Sequence, residues 1–205
     1  VLEARKGRYI FKEASMANKN EPFGLRAIGK VGQNRDNQGL SEYSVANNYA
    51  TTIYFQDAVK PVAGGTIEQA AAGDRLLGSL NGVFYTDPNT SKPTFANHYA
   101  QVAASDIVAF VSDDPYERFE IQTDISSASA QTDVFMNADI VVSAGVAANF
   151  VSNSMLDDNT LSTVSGQLKI IGPSTNIDNN EIGSGWVNWV VMVNEHIYNS
   201  ATAGI

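Results

Sequence analysis

The chain has 205 residues, 43% hydrophobic and 17% charged, enough to bury a real core as one domain or two small ones. Its net charge of −9 argues against a general affinity for nucleic acid phosphates or anionic lipid. The absence of cysteine excludes disulfides, thiolate metal sites and cysteine nucleophiles.

The first 15 residues carry Arg5, Lys6, Arg8 and Lys12 but lack the apolar stretch of a secretory signal. Two readings of them stand side by side. They are either an extension ahead of a natural start at Met16 or a basic arm that pairs with an acidic partner. Residues 16–42 hold Pro22, Gly24, Gly29, Gly32 and Gly39 in a polar setting, which predicts an extended N-terminal arm. Phe23, Leu25 and Ile28 within it are apolar, to be buried on the chain's own body or on a neighbour.

Residues 43–200 read as a single β-rich domain. Strand signals begin at 44–46 and 51–55, which are β-branched and aromatic. Residues 57–62 run to a turn at Gly64-Gly65 and return as 66–69. Ala70-Ala71-Ala72 favours helix locally, but Gly73 stops it. Residues 76–85 are apolar and interrupted at Asn81-Gly82, either a hairpin turn or a glycine inside one long, bent strand. Residues 87–93 form a polar loop, and 95–100 lead into a central stretch, 105–124. There two strands, 107–111 and 119–123, meet at a corner made by Asp113-Asp114-Pro115. The first is apolar on both faces, as inside a barrel or between layers. In the second, Phe119, Ile121 and Thr123 alternate with Glu120, Gln122 and Asp124, which predicts one wet face.

After a small-residue loop at 126–132, residues 137–142 and 167–171 read as strands, with a short helix at 147–156 between them. Residues 173–184 are a second polar loop. Residues 187–194 are the last strand, with Val187, Trp189, Val191 and Val193 on its core face. Its longest apolar run, 189–193, is far short of the ~20 residues of a membrane helix, so no membrane is expected as a partner. The expected fold is all-β: an antiparallel β-barrel or sandwich with long loops, an extended N-terminal arm and little helix.

The polar residues do not assemble into a recognisable catalytic motif. His98 and His196 are the two histidines, each without nearby ligand spacing, and no Gly-x-Ser-x-Gly elbow occurs. Asp113-Asp114, Asp157-Asp158 and the 177–181 loop gather oxygen atoms. The EF-hand spacing is missing, however, and turn chemistry accounts for these residues equally well. Gly29 and Gly32 fit neither phosphate-loop pattern. No catalytic residue, metal ligand or cofactor is therefore assigned, and no enzymatic activity is expected. Trp186 and Trp189 are three apart, so on a strand they face opposite sides, which puts one of them at a rim or interface. The candidate partner contacts are Phe23, Leu25 and Arg26 in the arm, together with Trp186.

Several phrases also carry a resemblance. They are residues 18–26 (NKNEPFGLR), the run from Tyr49-Ala50-Thr51 to Asp57-Ala58-Val59-Lys60, and residues 87–94. Further on come Ser105-Asp106-Ile107-Val108-Ala109, Asp113-Asp114-Pro115, Phe119-Glu120-Ile121-Gln122, Leu168-Lys169-Ile170 and Asn194-Glu195-His196. Together, from about Asn18 to His196, they resemble a family of tailed-bacteriophage virion proteins encoded near the major capsid protein. Such proteins look like head decoration (cement) proteins. The resemblance implies a β-rich structural protein on the outer surface of the capsid. It would be bound to the major capsid protein and homo-oligomeric, most obviously a trimer, with no nucleic acid partner. Another virion position (tail, collar or fibre base) shares these features. So does a receptor- or glycan-binding module using Trp186, Tyr116 or Tyr198.

Overall fold

The computed structural model describes residues 18–31, 39–125 and 128–199. Residues 1–15, expected to be either an extension or a basic arm, the expected start at Met16 and the part of the arm at 32–38 lie outside them. Among the described residues twelve strands form two six-stranded sheets, and every ladder between these strands is antiparallel. The expected all-β class is borne out as a sandwich-like pair of sheets not closed into a barrel.

The first sheet runs β1 (Arg26–Lys30), β8 (Glu117–Gln122), β12 (Asn188–Val193), β11 (Leu168–Pro173), β9 (Asn137–Val141), β10 (Met155–Ser162). The second runs β2 (Ser41–Ser44), β7 (Val108–Ser112), β5 (Gly78–Thr86), β3 (Ala58–Val62), β4 (Thr66–Gln69), with β6 (Pro93–Ala96) also paired to β5. The central corner therefore does not make a hairpin. Asp113-Asp114-Pro115 carries the chain from β7 in one sheet to β8 in the other.

Period-2 alternation fixes which side of each strand goes inward. Val187, Trp189, Val191 and Val193 are buried, as expected, against Phe119, Ile121, Ala138, Ile140, Leu156 and Leu168 in the core under the first sheet. The second sheet encloses its own core of Val59, Ile67, Leu80, Val83, Ala109 and Val111 with Tyr99 and Ile53. The two cores share a wall. Ala58 and Leu76 face the first core, whereas their neighbours Val59 and Leu77 face the second. Strand β3 is thus apolar on successive residues because both of its sides are covered.

Several expectations are corrected. Residues 51–55 make two isolated bridges, Ile53 with Tyr99 and Phe55 with Val151, instead of a ladder strand. The backbone turns at Gln56 (φ 68°), and the buried Asp57 carboxylate binds the Tyr54 amide at 2.8 Å. Of the two readings of residues 76–85, the single bent strand holds: β5 runs through Asn81-Gly82 with a register shift between Leu80 and Gly82. A Cβ there would lie 3.0 Å from the Ala96 carbonyl, so the glycine lets β6 approach. The expected helix at 147–156 is absent; a turn there leads into β10. Ser152 and Ser154 are drawn instead to Asp57, at 2.5 and 3.3 Å, and Leu156 enters the core opposite Ile140. Strand β7 is buried on one face only. Its other apolar face, Val108 and Phe110, is half-covered, with Phe110 packed on the exposed Phe95 at 5.6 Å between ring centroids.

The predicted wet face of β8 is also corrected. Glu120 is 3% exposed and Gln122 is fully buried. Their cover is the N-terminal segment, which lies across them.

Candidate functional site

That segment is fixed by side-chain amides. Gln122 uses both ends of its amide, donating to the Lys19 carbonyl at 3.0 Å and accepting from the Glu21 N–H at 2.9 Å. Asn179 does the same to a single residue. Its Oδ1 accepts from the Lys19 N–H and its Nδ2 donates to the Lys19 carbonyl, both at 2.7 Å. Asn18 in turn donates to the carbonyls of Gly185 (2.9 Å) and Glu181 (3.2 Å). A main chain that lacks a strand partner finds its hydrogen bonds in planar side chains of matching geometry.

Beyond it the chain enters the fold. Gly24 adopts φ +78° in a gap where a Cβ would meet the Gln56 carbonyl at 2.4 Å and Ser152 Cβ at 2.6 Å. The Leu25 N–H donates to Gln56 O at 2.8 Å, and its side chain, 1% exposed, fills the first core. Strand β1 then pairs with β8 and bulges between Ala27 and Gly29. Arg26 forms an ion pair with Glu120, and its guanidinium sits 4.3 Å from the centroid of the Phe23 ring.

These elements leave a groove of about 260 Å³ between the N-terminal segment and the loop before β12. Lys19, Glu21, Phe23 and Arg26 line one side, and residues 176–179 with Asn188 line the other. Of the four contact candidates, Phe23 and Arg26 thus meet at one groove. Trp186 follows Gly185, whose carbonyl holds Asn18, and its own N–H donates to Ile125 O at 2.8 Å. Leu25 does not belong to this surface; it is a core residue. The amides of Asn18, Gln122, Asn179 and Asn188 were missed. Their one signal in the sequence is the polar 177–181 loop, for which turn chemistry accounts equally well.

The other polar candidates separate. Asp113 accepts from Ser41 Oγ (2.8 Å) and the Tyr43 hydroxyl (2.5 Å), while Asp114 pairs with Lys30 at 2.9 Å. Burial, reinforced by the Asp113 bond, raises the Tyr43 phenol well above its ordinary value. His98 stacks on Phe150 at 3.7 Å. His196 is buried and accepts the Tyr198 N–H at Nδ1 (3.1 Å). Among the described residues no group of three or more His, Asp or Glu is placed to hold a metal ion. No helix of the described residues is long and apolar enough to cross a membrane.

The fold and site define an all-β two-sheet protein with a polar surface groove. Comparison with protein-family models, with curated proteins and with solved structures found no match.

Proposed function

We propose that this protein is a structural virion component, a capsid decoration (cement) protein that binds the outside of a phage head through its major capsid protein. The identity of the partner rests on the resemblance carried, among other phrases, by residues 18–26, 87–94, 105–109, 113–115 and 119–122. The observation that supports a docking role is the edge of the first sheet. Strand β1 ends the sheet, and among the described residues no strand pairs with its outer side. Ile28 and Val31 there are 46% and 44% exposed. A free edge with adjacent apolar side chains suits strand addition by a partner chain. The bulge at Ala27/Gly29 and the flanking Arg26 and Lys30 restrain indiscriminate edge pairing. Trimers at threefold positions would multiply weak contacts into avidity.

The test adds purified protein to heads stripped of it, then follows binding by cosedimentation and head integrity by the temperature of DNA release. Wild type should bind and raise that temperature. Ile28→Glu should keep its melting temperature but bind at least tenfold more weakly. Phe95→Ser, on the exposed aromatic face of the second sheet, should bind normally. Unchanged head stability overturns the cement role. Loss of binding in Phe95→Ser alone moves the contact to the second sheet.

A further inference from the structure

Beyond β12 the chain is tied to the wall between the two cores. The Leu76 N–H donates to Glu195 O and the Ile197 N–H donates to Leu76 O, both at 3.0 Å. His196 lies between these two bonds and is 1% exposed. Its Nδ1 accepts the Tyr198 N–H at 3.1 Å, so the neutral ring carries its proton on Nε2. That Nε2 is buried and has no hydrogen-bond partner among the described residues. Tyr198, by contrast, is 58% exposed. Its hydroxyl lies 2.6 Å from that of Tyr43. Because Tyr43 gives its own proton to Asp113, Tyr198 is the donor to Tyr43. One imidazole lone pair and one phenol thus hold Tyr198 beside the corner that joins the two sheets, where it lines a cavity with Lys30, Asp113, Asp114 and Tyr116.

We propose that His196 is a proton-operated latch: proton uptake at Nδ1 releases Tyr198 and opens the turn at residues 196–199. The argument is one of donors and acceptors. Both nitrogens of an imidazolium are donors, so no rotation of the ring restores an acceptor to the Tyr198 N–H. The amide would face a second donor, and a charge would sit where water is excluded. The packed side of the ring belongs to the wall at Leu76 and to the corner, whereas Tyr198 and Asn199 are exposed. Relief therefore comes from the turn, and its Asn199 N–H bond to His196 O at 3.1 Å goes with it. The carboxylates that act on the ring are Asp113 and Asp114 of the corner. Lys30 of β1 pairs with Asp114, and Glu195 accepts the Gly166 N–H instead. Burial lowers the ring's pKa, and the Leu77 and Asp113 main chain with the two carboxylates offset this in part. The latch is closed at neutral pH and opens on acidification. It stands apart from the capsid reading, because it needs no partner at the β1 edge.

The experiment is an NMR titration of the full chain from about pH 7.5 to about pH 5, following the His196 ring nitrogens and the Tyr198 amide. At the neutral end the ring proton should be on Nε2. As His196 takes up a proton, the Tyr198 amide should lose about tenfold in hydrogen-exchange protection, corrected for intrinsic rate, with the same midpoint. Amides of β3 and β12 should keep theirs. In His196→Asn a side-chain carbonyl that cannot be protonated stands in for Nδ1, so Tyr198 should stay protected throughout. The proposal is overturned if the neutral proton is on Nδ1. It is overturned equally if wild-type Tyr198 protection does not change over this range, or changes only together with β12. A folded His196→Asn that shows the same loss also overturns it, and the wild-type titration decides the matter where that variant does not fold.

Discussion

Glu120 leans on Arg26. Its Oε1 is buried and has no hydrogen-bond partner among the described residues, so its charge is balanced chiefly by one guanidinium. Stranding a fully buried charge costs about 3–5 kcal/mol. The Arg26 side chain is 39% exposed, so screening brings the expected loss for Arg26→Ala to roughly 2 kcal/mol in urea melts. Adding Glu120→Gln should return part of that loss; equal stability of the single and double variants would show that the pair is not its source. His196 sets a second expectation. Burial lowers its folded pKa below the ordinary 6.5, opposed in part by nearby Asp113 and Asp114. Between the two values the unfolded chain binds more protons, so this contribution is complete above about pH 6.5 and is lost as pH falls toward the folded pKa. The difference in unfolding free energy between about pH 7.5 and 5.5 should be smaller in His196→Phe than in wild type. An unchanged difference would exclude this histidine as the cause.

At the scale of the element, the N-terminal segment covers β8. Gly24 is its tightest point, with a left-handed backbone and no room for a Cβ. Gly24→Ala should therefore cost about 3 kcal/mol, from left-handed strain plus displacement of the Gln56 carbonyl. Hydrogen exchange should show faster amide exchange in β1 and β8 than in β3 and β4; uniform acceleration would mean that the segment is not a local cover. The sequence predicted the alternation of Phe119, Ile121 and Thr123 and correctly put the first two in the core. It read Glu120 and Gln122 as solvated because alternation reports which side a residue faces, not what lies over that side. Strand β10 escaped notice for a related reason. As an edge strand it sends Leu156 into the core while most of its other residues stay polar and half-exposed.

For the whole molecule, the wall shared through Ala58-Val59 of β3 and Leu76-Leu77 just before β5 makes the two cores interdependent. Val59 lies in the second core, and its neighbour Ala58 in the first. Val59→Ala should cost about 2 kcal/mol and shift the unfolding midpoint seen by Trp189 fluorescence, although Trp189 lies in the other core. Fluorescence and circular dichroism should give one coincident transition. Two separated transitions would show that the sheets unfold independently.

By itself the sequence determined the all-β class, the inward faces of β8 and β12, and the absence of thiol chemistry. Each follows from residue identity and period-2 spacing within a few positions. Only the tertiary structure decided that β7 and β8 belong to different sheets, that Leu25 is core, and that Phe23 and Arg26 share a groove with Asn188. These outcomes depend on pairings such as Lys19 with Asn179, 160 positions apart, and Glu21 with Gln122, 101 apart. No local pattern encodes such a partner, because an amide in a loop looks the same whether it bonds its own turn or a distant main chain.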